Sequence, residues 1–83
     1  MICFRERAWS DYLYWQQTDR RMLKRINSLI RDIQRDPGAG IGKPEPLKHD
    51  LSGLWSRRID DEHRLVYTVS AGELVIIQCR YHY

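Results

Sequence analysis

Leu54-Trp55-Ser56-Arg57-Arg58-Ile59, Arg64-Leu65-Val66-Tyr67-Thr68-Val69 and Glu73-Leu74-Val75-Ile76-Ile77-Gln78-Cys79-Arg80-Tyr81-His82 follow one another at the end of the chain, and the architecture turns on them. All three are rich in β-branched, aromatic and alternating residues, which suits strands. The links Asp60-Asp61-Glu62 and Ser70-Ala71-Gly72 have turn compositions. Links this short join only antiparallel neighbours, so the three segments form a meander.

Working back from this sheet, residues 37–53 read as a long loop punctuated by Pro37, Gly38, Gly40, Gly42, Pro44, Pro46 and Gly53. A loop of that length in a small domain is usually functional or mobile. Its Gly40-Ile41-Gly42-Lys43 string is not a phosphate loop: that spacing needs Gly at position 37 and Ser or Thr at 44, and both are Pro. Before the loop, Met22, Leu23, Ile26, Leu29, Ile30 and Ile33 recur at helical intervals and end before Pro37. Thr18 or Asp19 is placed to cap that helix. Trp9, Tyr12 and Leu13 predict a shorter helix from about Ala8 to Gln17, and Ile2–Phe4 suits a first strand. The fold class is α+β in the order β-α-α-β-β-β, with two helices on one face of an antiparallel sheet and the other face open.

Strand periodicity predicts what lies on that open face. If Val69 pairs with Glu73 and Ile59 with His63, residues of equal parity share a face. The odd face, with Trp55, Ile59, Leu65, Tyr67, Val69, Val75 and Ile77, is apolar and suits the helices. The even face collects Ser56, Arg58, Arg64, Val66, Gln78, Arg80 and His82. Three arginines crowded together repel one another unless an anion joins them, so this face is a candidate phosphate site. His82 adds a group that gives or takes a proton near neutral pH. Tyr83 adds a hydroxyl, and Glu45 and Lys48 in the loop are placed to fold over the sheet. A base, an acid and cations around a phosphate are what cleavage of RNA through its own 2′-hydroxyl requires. Each part also has a plainer role: a surface histidine, Arg64 paired with Asp60 or Glu62, Glu45 simply solvated.

The composition agrees with an anionic partner. The chain has 83 residues and a net charge of +3, and eleven of its fourteen cations are Arg. Arg forks onto phosphate and stacks on bases as Lys does not. Nine aromatics supply possible stacking surfaces, although Trp9, Trp15 and Trp55 are expected in the core. Arg20, Arg21, Lys24, Arg31 and Arg35 line the polar face of the second helix. They read either as a solvated face partly paired with Asp32 and Asp36, or as an electrostatic stripe for RNA. The length allows a single domain, residues 1–83. No run of about 18 apolar residues predicts a membrane span, and no leader pattern predicts secretion. Two cysteines, Cys3 and Cys79, are too few for a disulfide scaffold and fit a reducing cytoplasm. No metal set is evident: His49, His63 and His82 lack tight ligand spacing, and His49 and His63 are expected to be structural or exposed. No cofactor is expected.

Several stretches closely resemble the YoeB (Txe-type) toxins of the RelE/ParE toxin–antitoxin superfamily. They are Trp9-Ser10-Asp11-Tyr12-Leu13-Tyr14-Trp15-Gln16, Gly42-Lys43-Pro44-Glu45-Pro46-Leu47-Lys48-His49, Leu51-Ser52-Gly53, Trp55-Ser56-Arg57-Arg58-Ile59, Glu62-His63-Arg64-Leu65-Val66-Tyr67 and Cys79-Arg80-Tyr81-His82-Tyr83. The resemblance implies a microbial-ribonuclease-like (RelE-like) fold. It also implies a toxin that enters the A site of the 70S ribosome and cuts the mRNA there without a metal. A YefM-type antitoxin would neutralise it, operator DNA would be reached only through the antitoxin complex, and the toxin would form homodimers. By motif position, Glu45 resembles the general base, His82 the general acid and Arg64 the transition-state clamp. Arg58 and Lys48 resemble supporting cations, and Tyr83 a residue that orients or stacks on substrate. The segment Ile2-Cys3-Phe4-Arg5-Glu6-Arg7 departs from the family in lacking the Ser that commonly opens the first helix. The alternative function is a basic module that blocks the A site without cutting.

Overall fold

A computed structural model describes all residues from Met1 to Tyr83. The chain runs β1 (Ile2–Phe4), α1 (Glu6–Thr18), α2 (Arg20–Arg35), β2 (Glu45–Pro46), a 3-10 turn (His49–Leu51), β3 (Trp55–Arg58), β4 (Arg64–Ser70) and β5 (Glu73–Gln78). The expected α+β order holds, with one addition: the long loop contributes a two-residue strand, β2, to the sheet edge. The five strands lie in the order β1-β5-β4-β3-β2. The sheet is mixed rather than wholly antiparallel, because β1 pairs parallel to β5. The connection between them runs through both helices and the other three strands, far longer than the minimum a parallel pair needs.

Both helices pack on one face. Ile26, Leu29, Ile30 and Ile33 of α2 are buried, each contributing roughly 2 kcal/mol by leaving water. The Asp19 carboxylate caps α2 by accepting from the amides of Arg21 and Met22. Helix α1 starts at Glu6, two residues earlier than expected, without a side-chain cap. Ala8 and Trp15 of α1 join the core. Trp9 does not: it is 49% exposed and stacks on Tyr12 with ring centroids 5.8 Å apart. Trp55 packs against the core only partly buried. No helix is long and apolar enough to cross a membrane.

The β3–β4 register is the expected one, with Arg58 opposite Arg64 and Ser56 opposite Val66. The β4–β5 register is not. The hairpin turn has two residues, Ala71 and Gly72, both with positive φ, the conformation favoured by tight hairpins. Val69 therefore pairs with Leu74, not Glu73. Parity inverts along the first part of β5: Leu74 and Ile76 face the helices and are buried, whereas Val75 and Ile77 are only half-buried on the other side. Val69, at the sheet's end, is 45% exposed. A bulge at Ile77 then restores the register, so Val66 pairs with Gln78. Strand β5 ends there, four residues short of His82.

One cation sits wholly inside. Arg57, fully buried, places all five N–H donors: Nε on Tyr67 Oη (3.1 Å), Nη1 on Asp32 Oδ2 (2.5 Å) and the Ile41 carbonyl (3.0 Å), and Nη2 on the carbonyls of Asp36 (2.6 Å) and Ala39 (3.1 Å). It fastens residues 36–41 to the sheet and sets where the chain emerges toward β2. Arg35, then Arg57 and the Ile41 amide, hydrogen-bond Asp32 and hold its carboxyl well below the usual carboxylate range. Cys3 and Cys79 are both free thiols.

Candidate active site

The open face is built in rows across the strands. Glu45 lies opposite Ser56, Ser56 opposite Val66 and Val66 opposite Gln78. The next row is Arg58 and Arg64. Period-two alternation puts both rows on the side away from the helices. Glu45 reaches the row because Gly42 brings the loop against β3: its φ is +79°, and its carbonyl accepts from the Arg58 amide at 2.7 Å. A Cβ there would lie 2.8 Å from Leu29 Cδ2 and 3.1 Å from the Arg58 carbonyl.

The C-terminal tail completes the site. After β5 the chain leaves the sheet and is tied down nearly atom by atom. The Cys79 amide donates to Asp11 Oδ2 (3.1 Å) and the Cys79 carbonyl accepts from Trp15 Nε1 (2.8 Å). Gln78 Nε2 reaches the carbonyls of Arg80 (3.2 Å) and His82 (3.4 Å). Tyr81 bends the tail back, with φ +66°, a left-handed conformation that costs a non-glycine residue about 1 kcal/mol. The tail then crosses the sheet, and Tyr83 Oη donates to Glu45 Oε1 at 3.2 Å.

The result is a polar cavity of about 170 Å³ lined by Lys43, Glu45, Ser56, Arg58, Arg64, His82 and Tyr83. Three permanent cations face one carboxylate and one imidazole, so the cavity favours an anion. Arg64 is held by Nη1, which donates to the carbonyls of Asp60 (2.6 Å) and His63 (3.0 Å) rather than to the carboxylates of Asp60 or Glu62. Its Nε and Nη2 have no partner in the protein and remain available. No group of three His, Cys, Asp or Glu side chains lies close enough to hold a metal ion.

The structure thus brings together Glu45, Arg58, Arg64, His82 and Tyr83. Lys48 is the exception: it lies in an adjoining groove of about 560 Å³ that shares Glu45 and Tyr83 with the cavity. Lys43 takes the place expected for Lys48, since positive φ at Gly42 and Lys43 turns the chain before β2. Arg80 also departs from expectation. Its guanidinium stacks 3.5 Å from the Tyr14 ring of α1 and 4.5 Å from the Tyr81 ring, because β5 has ended before it. The stripe of Arg20, Arg21, Lys24, Arg31 and Arg35 belongs to α2, on the opposite side of the sheet from the cavity. Arg35 pairs with Asp32 at 3.0 Å; Arg20, Arg21, Lys24 and Arg31 are exposed, and Asp36 instead accepts from the Gly38 amide. Lys43, Ser56 and the tail-binding Gln78 were not singled out for the site by the sequence, although Ser56 and Gln78 fall on the predicted face.

Residues 4–83 match the model of the YoeB-like toxins of bacterial type II toxin–antitoxin systems. Toxin YoeB of Escherichia coli K12 is 61% identical over 82 residues, covering 99% of this chain and 98% of that protein. A YoeB/ParE toxin from Agrobacterium tumefaciens superposes with a TM-score of 0.97 at 55% identity, covering 99% and 98% of the two chains. Staphylococcus aureus YoeB is similar both in its complex with YefM (TM-score 0.93, 50% identity, 100% and 97% coverage) and as a dimer (TM-score 0.92, 52% identity, 99% and 95% coverage). With the family model spanning almost the whole chain and the fold agreeing throughout, this chain belongs to the YoeB-like toxins of bacterial type II toxin–antitoxin systems.

Proposed function

We propose that this toxin is a ribosome-dependent endoribonuclease that cuts mRNA in the A site of the 70S ribosome and so stops translation in the cytoplasm. The observation that carries the reading is the meeting of Glu45, Arg58, Arg64, His82 and Tyr83 around one cavity. Glu45 takes the proton of the ribose 2′-hydroxyl, and the freed oxygen attacks the neighbouring phosphorus. His82, in its protonated form, gives its proton to the departing 5′-oxygen. Arg64, with Arg58 and Lys43, faces the charge that builds on the phosphorane. Tyr83 holds Glu45 by its hydroxyl and presents its ring to a base, and Lys48 in the adjoining groove meets a flanking phosphate. Acid, base and charge stabilisation each have a side chain here, so the step is written without a metal.

An open cavity on a small sheet does little to orient a flexible RNA. The ribosome supplies that orientation by holding the codon in an attack-ready geometry. The exposed Arg20, Arg21, Lys24 and Arg31 of α2, with Arg35 at its end, are the candidate ribosome contacts. A YefM-type antitoxin is the neutralising partner, with operator DNA bound only through that complex, and the toxin forms homodimers. The S. aureus YoeB–YefM complex and YoeB dimer support these partners.

Primer extension on an mRNA held in a purified 70S complex with an empty A site tests the reading. Wild-type protein is expected to create a single new 3′ end within the A-site codon, absent with Glu45→Ala and with His82→Ala. A stalled complex with no new end means that the protein blocks the site without cutting.

A further inference from the structure

The bend that sends His82 and Tyr83 back across the sheet is held by a side chain with no part in the proposed chemistry. His63, only 8% exposed, is packed edge-on against Trp15, with ring centroids 4.9 Å apart. Its Nδ1 accepts the Tyr81 amide at 2.7 Å. The next amide along β4, that of Arg64, donates to the Tyr81 carbonyl at 3.0 Å. Tyr81 is therefore gripped on both sides at the residue whose φ is +66°.

The grip requires a definite state of the imidazole. Because an amide donates to it, Nδ1 carries no proton, and the ring hydrogen sits on Nε2. Nε2 lies 3.5 Å from Glu62 Oε1, which favours that tautomer. The His63 amide donates to Asp60 Oδ1 at 2.7 Å, so the same turn fixes the backbone from which the ring projects. The charged and titratable groups around the ring are Glu62 and Asp60 in the turn, Arg64 on β4, and Tyr81 with Arg80 in the tail. Trp15 closes the α1 side.

We infer that His63 is a positioning residue, whose neutral Nδ1 pins the left-handed bend at Tyr81 and thereby presents His82 and Tyr83 to the cavity. The effect on rate rests on the ribonuclease reading above; the grip on the tail does not. Without the acceptor, Tyr81 itself keeps only the bond from the Arg64 amide to its carbonyl, and the residues beside it rest on long bonds from Gln78 and Arg7, the Arg80–Tyr14 stack and the Tyr83–Glu45 contact.

The test uses His63→Leu, which keeps bulk against Trp15 and removes the acceptor, and His63→Asn, whose side-chain oxygen replaces Nδ1 and does not titrate. Hydrogen exchange at the Tyr81 amide, ribosome affinity and single-turnover cleavage of the A-site codon are measured on each, with thermal melting to show that each is folded. His63→Leu is expected to lose protection at Tyr81 and to slow cleavage by about 10²-fold, with ribosome affinity unchanged. His63→Asn is expected to restore protection and to bring cleavage within about tenfold of wild type. Wild-type cleavage by folded His63→Leu overturns the inference. So does a folded His63→Asn without protection at Tyr81, which also decides the matter if His63→Leu does not fold. If wild type itself cuts nothing, the ribonuclease reading fails, and exchange at Tyr81 still judges the grip.

Discussion

The phenol of Tyr83 donates to the carboxylate of Glu45 at 3.2 Å, closing the last residue of the chain onto a strand 38 residues earlier. The contact puts the two ends of the site in one piece: a loop strand on one side, a tail held by α1, His63 and Gln78 on the other. Tyr83→Phe keeps the ring and removes the bond. Single-turnover cleavage in a programmed ribosome is expected to fall about tenfold, the value of one such hydrogen bond, with ribosome affinity unchanged.

Arg64→Lys keeps the charge and loses the fork. Nη1 anchors the guanidinium on two backbone carbonyls, leaving its other nitrogens for a phosphate. An ammonium cannot serve both at once. Cleavage is expected to drop by about 10²-fold while the melting temperature hardly moves. An equal fall in folding stability shows that the anchor, rather than the fork, was lost.

Gly42 and Gly53 separate strain from collision. Both have positive φ, but a Cβ at Gly53 meets nothing within 4 Å, whereas one at Gly42 meets Leu29 and the Arg58 carbonyl. Gly53→Ala is expected to cost about 1 kcal/mol of stability from backbone strain alone. Gly42→Ala is expected to cost about 3 kcal/mol and to impair cleavage, since the loop carrying Glu45 must move. Urea unfolding with a cleavage assay on each variant distinguishes the two.

Acid stability follows Asp32. Its folded-state carboxyl lies below the ordinary range because Arg35, Arg57 and the Ile41 amide hydrogen-bond it. The stabilisation is therefore complete above the ordinary carboxylate value, near pH 4, and fades as pH falls below it. Arg57→Met, which takes from Asp32 one of its three hydrogen-bond partners and leaves the Asp36 and Ile41 carbonyls without their side-chain donor, is expected to cost about 3 kcal/mol at neutral pH. It is also expected to flatten the dependence of the urea midpoint on pH below about 4.

Alkaline stability follows Cys79. Burial, with a contribution from the Asp11 charge, pushes its thiol up to about 12; burial also raises Tyr67, partly offset by Arg57. The unfolded thiol ionises from about pH 9 and the folded one does not, so stability is present below that value and is lost as pH rises from about 9 toward 12. Cys79→Ala is expected to reduce the slope of stability against pH in that window. A thiol reagent at neutral pH is expected to leave Cys79 unmodified until the protein unfolds.

Features that depend on neighbours in sequence were legible in advance. The spacing of Met22, Leu23, Ile26, Leu29, Ile30 and Ile33 marks α2, and Asp19 marks its start. Alternation in β3 and β4 correctly put Ser56, Arg58, Arg64 and Val66 on one face, because side-chain direction in a strand repeats every second residue. Glu45 in the loop and Tyr83 after His82 were legible as candidates to join that face, the resemblance of Lys43-Pro44-Glu45-Pro46 and Arg80-Tyr81-His82-Tyr83 to a known family gave them roles, and the cavity contains both. What escaped the sequence depends on distant partners. The β5 parity failed because a two-residue turn and a bulge at Ile77 together reset the register, and neither leaves a mark in the alternation of β5 itself. His82 reaches the face not as part of a strand but on a tail bent at Tyr81. Arg57 looks like any surface arginine until Asp32, Tyr67 and three loop carbonyls surround it. Lys43 rather than Lys48 enters the cavity because positive φ at two successive residues turns the chain there. Local periodicity is written in the order of residues; register, the burial of a charge and the path of a tail are settled by contacts between segments tens of residues apart, and those exist only once the chain has folded.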